Sequence, residues 1–342
     1  MKSTTIIDVA KKAQVSVATV SRVVNGNYPV KEATRKRVLE AIEELKYIPN
    51  IQARELNTQH SSIIGIIVPS LFNTFFAEVV SGIESFATSN GYSLLLTYTK
   101  DDPVCEKQCM NELLMRNVSG IINISPNTER VDSDFFDQIA ERIPMVFINS
   151  YVKRPAISYV YNDERIGTKI ALEYLTSLGH KNIAFIRGEK SDSYEFKQDV
   201  YVEFMKKLGY YKPQNIITVG SGNSINTVEL TASKVMDFLG ENKDITAFFS
   251  CNDLMGIGAV NACRRLKYKV PRDISVMGFD NVSLSHFMEP KLTTMDQNMM
   301  TLGWTAASLL MEKIANDNKT SRQVVLQNTL VLRDTTGPCK IK

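Results

Sequence analysis

Residues 6–25, IIDVAKKAQVSVATVSRVVN, carry apolar side chains at helical spacing in two short runs. Asp8 is placed to cap the first run, and Ser16 is a good N-cap for the second, after a tight turn. The side chains predicted to turn inward are Val9, Ala10, Ala13, Val20, Val23 and Val24. Two short helices joined in this way predict a helix-turn-helix.

The outward face of the second helix combines small side chains with one Arg. Small residues let a helix lie deep in a groove of DNA, and Arg can form a bidentate pair with a guanine edge in the major groove. The alternative is a pair of ordinary amphipathic helices with a polar face. We predict that this module contacts DNA through Thr5, Ser16, Val17, Ala18, Thr19, Ser21, Arg22 and Asn25.

The distribution of charge agrees with a DNA-binding amino terminus. The whole chain of 342 residues has a net charge of only +3. Residues 1–60 contain ten Lys and Arg against six Asp and Glu, so the first 60 residues carry +4 and the remainder −1. The positive excess therefore lies where phosphate contacts would use it.

The residues that follow predict a third helix and a short connecting segment. Residues 31–46 place Val38, Leu39, Ile42 and Leu45 on one face, which would close a small helical bundle. In residues 48–61, Pro49 starts a new element that is too short for a stable isolated helix in water. A plain polar linker is the alternative.

This amino-terminal pattern resembles the LacI/GalR family of bacterial transcription regulators. In that family the connecting segment is a hinge helix that folds on operator DNA and inserts a Leu into the minor groove at a central pyrimidine-purine step. For this chain we expect that step to be CG. The resemblance implies DNA contacts from Asn50, Ala53 and Leu56, with Leu56 as the inserted Leu. The matching residues are Asp8-Val9-Ala10, Val15-Ser16, Thr19-Val20-Ser21-Arg22-Val23, Asn25, Val30, Thr34-Arg35, Val38, Ile42, Leu45, Tyr47, Pro49-Asn50, Ala53-Arg54 and Leu56.

From residue 62 onward, short apolar runs alternate with amphipathic helical patterns. This βαβ rhythm predicts parallel sheets covered on both faces, and the length allows two such sheets with a cleft between them. The predicted strands are 63–68, 93–97, 120–124, 145–148, 183–186, 216–219, 247–249 and 274–277.

The family resemblance extends through this half. Its matching residues are Phe76-Ala77-Glu78, Gly120-Ile121, Gly179-His180, Asn252-Asp253, Gly278-Phe279-Asp280, Leu292-Thr293-Thr294, Gln297 and Gly303. The resemblance implies an all-α helix-turn-helix headpiece and an α/β core like a periplasmic sugar-binding protein, with the chain crossing three times between two parallel-sheet subdomains. The expected boundaries are 1–47 for the headpiece, 48–61 for the hinge, 62–161 with 291–323 for the first subdomain, and 162–290 with 324–342 for the second.

The cleft of such a core would hold an effector beside residues that follow strand ends. An aromatic ring with a few charged and amide groups suits a sugar, a sugar phosphate or a nucleobase. Two alternatives stay open: Asp253 may cap the next helix instead of facing the cleft, and either Phe may be core. The candidate effector-binding residues are Phe75, Phe76, Ser193, Lys197, Asn252 and Asp280.

Two departures from the family pattern affect the cleft and the partner. Sugar-responsive members have an Arg three residues before a Gly-aromatic pair, where this chain has Lys197 before Val200-Tyr201. The catabolite control subgroup, whose headpiece this chain also resembles, binds a phosphocarrier protein as corepressor. At that subgroup's contact positions this chain has Met300, Thr301, Ser308 and Glu312, and Glu312 would repel a phosphoprotein.

Other functional classes find little support in the sequence. Five scattered cysteines argue against a disulfide framework, and three His residues supply no ligand pattern for a metal. Nucleophile-elbow and phosphate-loop motifs are absent, so neither an enzyme nor a cofactor is expected. Without a signal peptide or a membrane span, we expect a cytoplasmic homodimer rather than an exported solute-binding protein.

Overall fold

The structure is a computed structural model that describes residues 4–26, 29–48, 61–127, 134–189, 191–316 and 320–340. The chain folds as two compact units, Met1–Ser61 and Ser62–Lys342. The first unit contains three helices: α1 (Ile6–Ala13), α2 (Val17–Asn25) and α3 (Glu32–Glu44). Within the described part of the chain, no helix combines the length and the apolar composition that crossing a bilayer requires.

The two N-caps of the helix-turn-helix show how local chemistry starts each helix. Ser16 caps α2 as predicted, since its Oγ accepts a hydrogen bond from the backbone of Thr19. Asp8, however, is not the N-cap of α1. Thr5 occupies that position and Asp8 lies three residues later, where its carboxylate accepts from the backbone and the hydroxyl of Thr5. The pair forms a capping box, which satisfies exposed backbone donors from both sides.

The three helices bury a small apolar core. The predicted inward residues are confirmed, with Val9 and Val20 fully buried and Val23 and Val24 packed against the cluster. Leu39 differs from its prediction because its side chain is 49% exposed and Ala41 is buried instead. Helical geometry explains the difference: Ala41 lies three residues after Val38 and shares its face, whereas Leu39 is rotated by about 100°.

The second unit begins with a six-stranded parallel sheet in the order β11-β5-β4-β3-β1-β2. Its strands are β1 (Ile63–Val68), β2 (Ser93–Tyr98), β3 (Gly120–Ile124), β4 (Met145–Ile148), β5 (Ser158–Asn162) and β11 (Gln323–Leu326). The helices that cover its two faces are α4 (Thr74–Ser89), α5 (Pro103–Met115), α6 (Phe135–Ala140) and α12 (Met299–Asn316). Strands buried on both faces read as the continuous apolar runs seen in the sequence.

A second sheet of four parallel strands has the order β7-β6-β8-β9. Its strands are β6 (Ile183–Arg187), β7 (Ile216–Thr218), β8 (Ala247–Ser250) and β9 (Ser275–Met277). The accompanying helices are α7 (Glu164–Ser177), α8 (Asp192–Lys207), α9 (Thr227–Glu241), α10 (Asp253–Arg265) and α11 (Ser283–Phe287). A short 3-10 helix, Pro213–Asn215, precedes β7. The predicted βαβ organisation is thus present in both sheets.

The chain passes between the two sheets three times, after β5, after β9 and after β11. Two crossing segments pair as antiparallel strands, β10 (Thr294–Asp296) and β12 (Thr329–Val331). The expected boundary between residues 323 and 324 falls inside β11, so residues 324–326 lie in the first sheet and not in the second subdomain. The cause is the pairing of β11 with β5, because four residues are too short a run to be recognised as a strand from the sequence.

Helices α4 and α12 approach each other through glycines, and this contact gives a first prediction. A Cβ on Gly303 would lie 2.0 Å from the carbonyl oxygen of Val79, a backbone atom that cannot move aside. We expect Gly303→Ala to reduce the free energy of unfolding by about 1–3 kcal/mol, the usual cost of overpacking. Chemical denaturation of the full-length protein measures the change.

Gly240 in α9 is the matched control, because no heavy atom lies within 4 Å of a Cβ built there. Gly240→Ala should be neutral or should stabilise the protein by up to about 1 kcal/mol, since Ala is the better helix former. Equal effects of the two substitutions would contradict the assignment of Gly303 as a helix-contact residue.

Candidate functional site

The DNA-reading face predicted from the sequence lies on the exposed side of α2. Val17, Ala18 and Arg22 are exposed, while Thr19 and Ser21 are half-buried. The opposite side of the helix packs against α1 and α3 through Val20. The backbone therefore presents small side chains and one guanidinium on the same surface, the arrangement that a recognition helix needs.

Two of the predicted contact residues also stabilise the helices. The exposed side chains of Thr5 and Ser16 accept hydrogen bonds at the starts of α1 and α2, and the Ser16 hydroxyl lies 2.9 Å from that of Thr19. Any contact they make with DNA would add to that capping role. The side chain of Asn25 and the residues Asn50, Ala53 and Leu56 lie outside the described part of the structure.

The six predicted effector-binding residues all line one cleft in the second unit. It encloses about 620 Å³ free of protein atoms, part of it open to solvent. Its walls consist of residues that follow the carboxyl ends of strands in both sheets, as expected for ligand sites of open α/β folds. Phe75 and Phe76 line the cleft and also belong to the core, with their rings edge to face at 5.3 Å.

A buried ion pair occupies one wall of the cleft. The ammonium of Lys197 lies 3.0 Å from the Oε1 of Glu164, and both side chains are 2% exposed. The other donors of Lys197 reach the hydroxyl of Ser193 at 3.0 Å and the carbonyl of Cys251 at 3.2 Å. Burial by itself lowers the pKa of Lys197, but the charges of Glu164 and Asp280 raise it above its usual value. Lys197 is therefore a cation whose three donors are already used within the protein.

Glu164 accepts hydrogen bonds from both subdomains. Its Oε1 accepts from Ser193 at 2.9 Å, and its Oε2 accepts from the hydroxyl of Tyr151, which follows β4 of the first sheet. The Tyr151 ring packs on Phe196 with the centroids 4.5 Å apart. Neither Glu164 nor Tyr151 was among the predicted site residues. Glu164 follows Asp163, the N-cap of α7, and reads in the sequence only as an acidic first-turn residue.

A chain of hydrogen bonds links the crossing segments below the cleft. Asn162 donates to the backbone carbonyl of Gln297 at 2.7 Å, and the Gln297 side chain donates to the Oδ1 of Asp280 at 2.6 Å. Asp280 has a φ of 116°, a conformation rare for a residue with a side chain. These contacts fix the direction of the Asp280 carboxyl at the cleft wall.

Asn252 and Asn223 shape the opposite wall. Asn252, not Asp253, is the N-cap of α10: its Oδ1 accepts from the backbone of Met255, while its amide donates to the carbonyl of Gly222. Asn223 accepts from Asn73 at 2.9 Å through its side chain and from Ser70 at 2.8 Å through its backbone. Because Ser70 and Asn73 belong to the first subdomain, these two bonds join the subdomains across the cleft.

Asp253 has a structural role close to the site. Its carboxylate accepts from the backbone of Val282 at 2.8 Å and from the hydroxyl of Thr294 at 2.6 Å. Burial raises the pKa of Asp253 to about 7, although these hydrogen bonds oppose the shift. Asp253 therefore neither caps the helix nor lines the cleft, but is a buried hydrogen-bonding residue. Phe75 and Phe76 belong to the core and also line the cleft.

Asp101 is a further cleft residue that the sequence did not indicate. It lies in the turn after β2, and burial raises the pKa of its carboxyl to about 6. A pKa raised by folding means that the stabilising contribution is complete below the unfolded value near 3.8 and disappears as the pH rises through 6. Asp101→Asn should therefore gain stability relative to the unmodified protein between pH 4 and pH 7.

Melting temperatures of both proteins across that pH range measure the effect. Asp237→Asn, on the exposed side of α9 and outside the cleft, is the control for removal of a carboxyl group. A constant difference between Asp101→Asn and the unmodified protein from pH 4 to pH 7 would contradict a raised pKa.

Comparison with known proteins identifies the family. Residues 5–50 match bacterial regulatory proteins of the lacI family, and residues 172–336 match the periplasmic binding protein-like domain. The chain is 34% identical over 335 residues to catabolite control protein A of Priestia megaterium, covering 97% of this chain and 99% of that protein. It is 33% identical over 330 residues to the HTH-type transcriptional repressor PurR of Aliivibrio fischeri, covering 96% and 97%.

A solved structure agrees with these relatives. The lac repressor dimer bound to operator and the anti-inducer ONPF superposes with a TM-score of 0.85 at 29% identity, covering 98% of this chain and 100% of that chain. The predicted fold class, a helix-turn-helix headpiece with a two-subdomain core like a periplasmic binding protein, is confirmed. The chain therefore belongs to the lacI family of bacterial regulatory proteins and is a DNA-binding transcriptional regulator.

Proposed function

We propose that this regulator is a repressor of carbohydrate or related catabolic genes that binds a pseudo-palindromic operator as a homodimer. A small molecule in the cleft would change its affinity for DNA. The observation that carries the DNA-binding part is the exposed face of α2, where Arg22 accompanies small side chains. Because its operators would lie on the chromosome, we place the protein in the cytoplasm.

Two-fold symmetry explains how such a protein would read a palindrome, because a dimer presents two recognition helices to two half-sites. The lac repressor structure noted above is such a dimer on its operator. In this chain the outer edge of the first sheet, strand β2, exposes Leu96 and Tyr98, and the neighbouring loop exposes Leu71 and Phe72. A self-complementary contact along this edge would cover apolar groups that water solvates poorly.

The cleft supplies a means of control. The hydrogen bonds of Asn223 with Ser70 and Asn73 hold the two subdomains together across it. An effector that binds the closed cleft more tightly than the open one shifts the population toward closure by its difference in affinity. Hydroxyl, amide and carboxyl groups beside Phe75 and Phe76 suit a polyhydroxylated ligand, and no chemical step is needed for this role.

A second candidate function is favoured by the Priestia relative, a catabolite control protein. A global regulator of that kind would use a phosphocarrier protein as corepressor. The corresponding face of α12 opposes this reading, because Met300 is 51% exposed and Glu312 pairs with Arg322 at 2.7 Å. A phosphoprotein would meet an apolar side chain and an acidic one where it needs cations.

Gel-shift titration of the full-length protein on a palindrome with a central CG tests the proposal. We expect the palindrome to bind more tightly than a shuffled duplex, with the difference persisting as salt weakens both complexes. Equal affinities for the two duplexes, or a protein that stays monomeric on DNA, would contradict it. Addition of the serine-phosphorylated phosphocarrier protein tests the second function, which predicts a tighter complex.

A further inference from the structure

The charged groups of the cleft do not balance. The described residues that line it include four carboxyl side chains and one ammonium: Asp101, Glu164, Asp192, Asp280 and Lys197. The ammonium is neutralised by Glu164, and its remaining donors reach Ser193 and the carbonyl of Cys251. No lysine or arginine is therefore left among these lining residues to receive a negatively charged ligand.

Two of the carboxyls, those of Asp101 and Asp280, form no ion pair among the described residues. Within the same residues, the only side-chain hydrogen bond of Asp280 comes from the neutral amide of Gln297. Burial is the main cause that raises the pKa of both carboxyls, and at Asp280 the charge of Lys197 only partly opposes it. Desolvated carboxylates of this kind are stabilised when a positive charge enters beside them.

A neutral hydrogen-bond acceptor on the cleft wall also favours a ligand that carries hydrogen-bond donors. Asn149 follows β4, is 7% exposed, and its buried Oδ1 has no hydrogen-bond partner within the described part of the chain. An unpaired buried acceptor costs about 1–3 kcal/mol unless a donor reaches it. The cleft thus lacks donors rather than acceptors, and its ligand has to supply them.

We propose that the effector is a polyhydroxylated amine, such as an amino sugar, whose ammonium binds beside Asp101 and Asp280 and whose hydroxyl groups donate to Asn149 and its neighbours. This inference rests on the proposed role of the cleft as the effector site and adds the charge of the ligand. Phosphorylated and carboxylated sugars do not fit this cleft, because their negative charge would face four carboxyls and a single ammonium that is already paired.

Matched sugars test the charge directly. The full-length protein is melted at pH 7.5 with glucose, galactose and mannose, with the 2-amino-2-deoxy and 6-amino-6-deoxy derivatives of each, and with the 6-phosphates. A ligand that binds only the folded state raises the melting temperature. We expect an amine member to give the largest shift. The inference is overturned if a neutral or phosphorylated member gives the largest shift, or if no amine member gives any.

A variant tests whether Asp101 belongs to the binding site of the amine. For the best amine, calorimetric titration of Asp101→Asn should show an affinity reduced roughly tenfold to a hundredfold, the worth of a hydrogen bond between charged groups. Asp237→Asn, exposed on α9 and away from the cleft, is the matched control and should retain the original affinity. An unchanged affinity in Asp101→Asn would remove Asp101 from the site and overturn the inference.

The same preparations separate this inference from the proposed function. Operator binding is measured on the palindrome and the shuffled duplex without any sugar. A protein that prefers the palindrome but ignores the amines refutes only the ligand class. A protein that binds both duplexes equally refutes the proposed function, whatever the sugars do.

Discussion

Arg22→Ala is expected to remove most of the preference for operator over random DNA while much of the nonspecific affinity remains. Arg22 is exposed on α2 among small side chains, where a guanidinium can form a bidentate pair with guanine. Such a pair is worth roughly 1–3 kcal/mol of discrimination, so the ratio of the two affinities should fall by about fivefold to 150-fold. Fluorescence anisotropy with operator and shuffled duplexes across a salt series measures both affinities.

Lys11→Ala is the control for charge alone. Lys11 is exposed near the end of α1 and outside the predicted reading face, so its removal should affect both duplexes alike. If Arg22→Ala also weakens operator and shuffled DNA by the same factor, Arg22 contacts phosphate and does not read bases. The sequence-reading role assigned to α2 would then be wrong.

Lys197→Met should cost the second unit about 3–5 kcal/mol of unfolding free energy, the largest loss of stability that we expect from a cleft residue. Removing the ammonium leaves the carboxylate of Glu164 buried without its partner at 3.0 Å. The loss comes from that stranded charge more than from the lost attraction. Urea denaturation of the full-length protein at pH 7.5 measures it.

Two further variants locate the cause. Lys197→Met combined with Glu164→Gln removes both charges and should recover a large part of the lost stability. Lys212→Met breaks an exposed ion pair with Asp244 at 2.9 Å, where the cost should not exceed about 1 kcal/mol. The explanation fails if Lys197→Met costs no more than Lys212→Met, or if the double variant is as unstable as the single one.

Six of the 21 described residues that line the cleft followed from the sequence, because one rule of parallel sheets places them. Residues just past strand ends gather at the same edge, and Ser193, Lys197, Asn252 and Asp280 do line one cleft with the two Phe. Their part in binding an effector stays a prediction. The rule missed Asp101 and Asn149, although both follow recognised strands, since nothing local marks a polar loop residue as buried.

Sequence alone determined the elements whose signals are local. Helical periodicity and the Ser16 cap of α2 depend on residues within one or two turns, and most buried strands of both sheets are continuous apolar runs. The order of motifs along the chain was also enough to indicate the lacI family, which its relatives confirm.

Only the tertiary structure decided which distant groups meet. The pairing of β11 with β5, the ion pair of Lys197 with Glu164, and the bonds of Asn223 to the first subdomain join residues far apart in the chain. The hydrophobic periodicity of the sequence does not identify such partners. A charged or amide side chain has the same sequence neighbours whether or not a distant partner lies beside it in the fold. The charge of the cleft, and hence the kind of effector we infer, follows from those pairings.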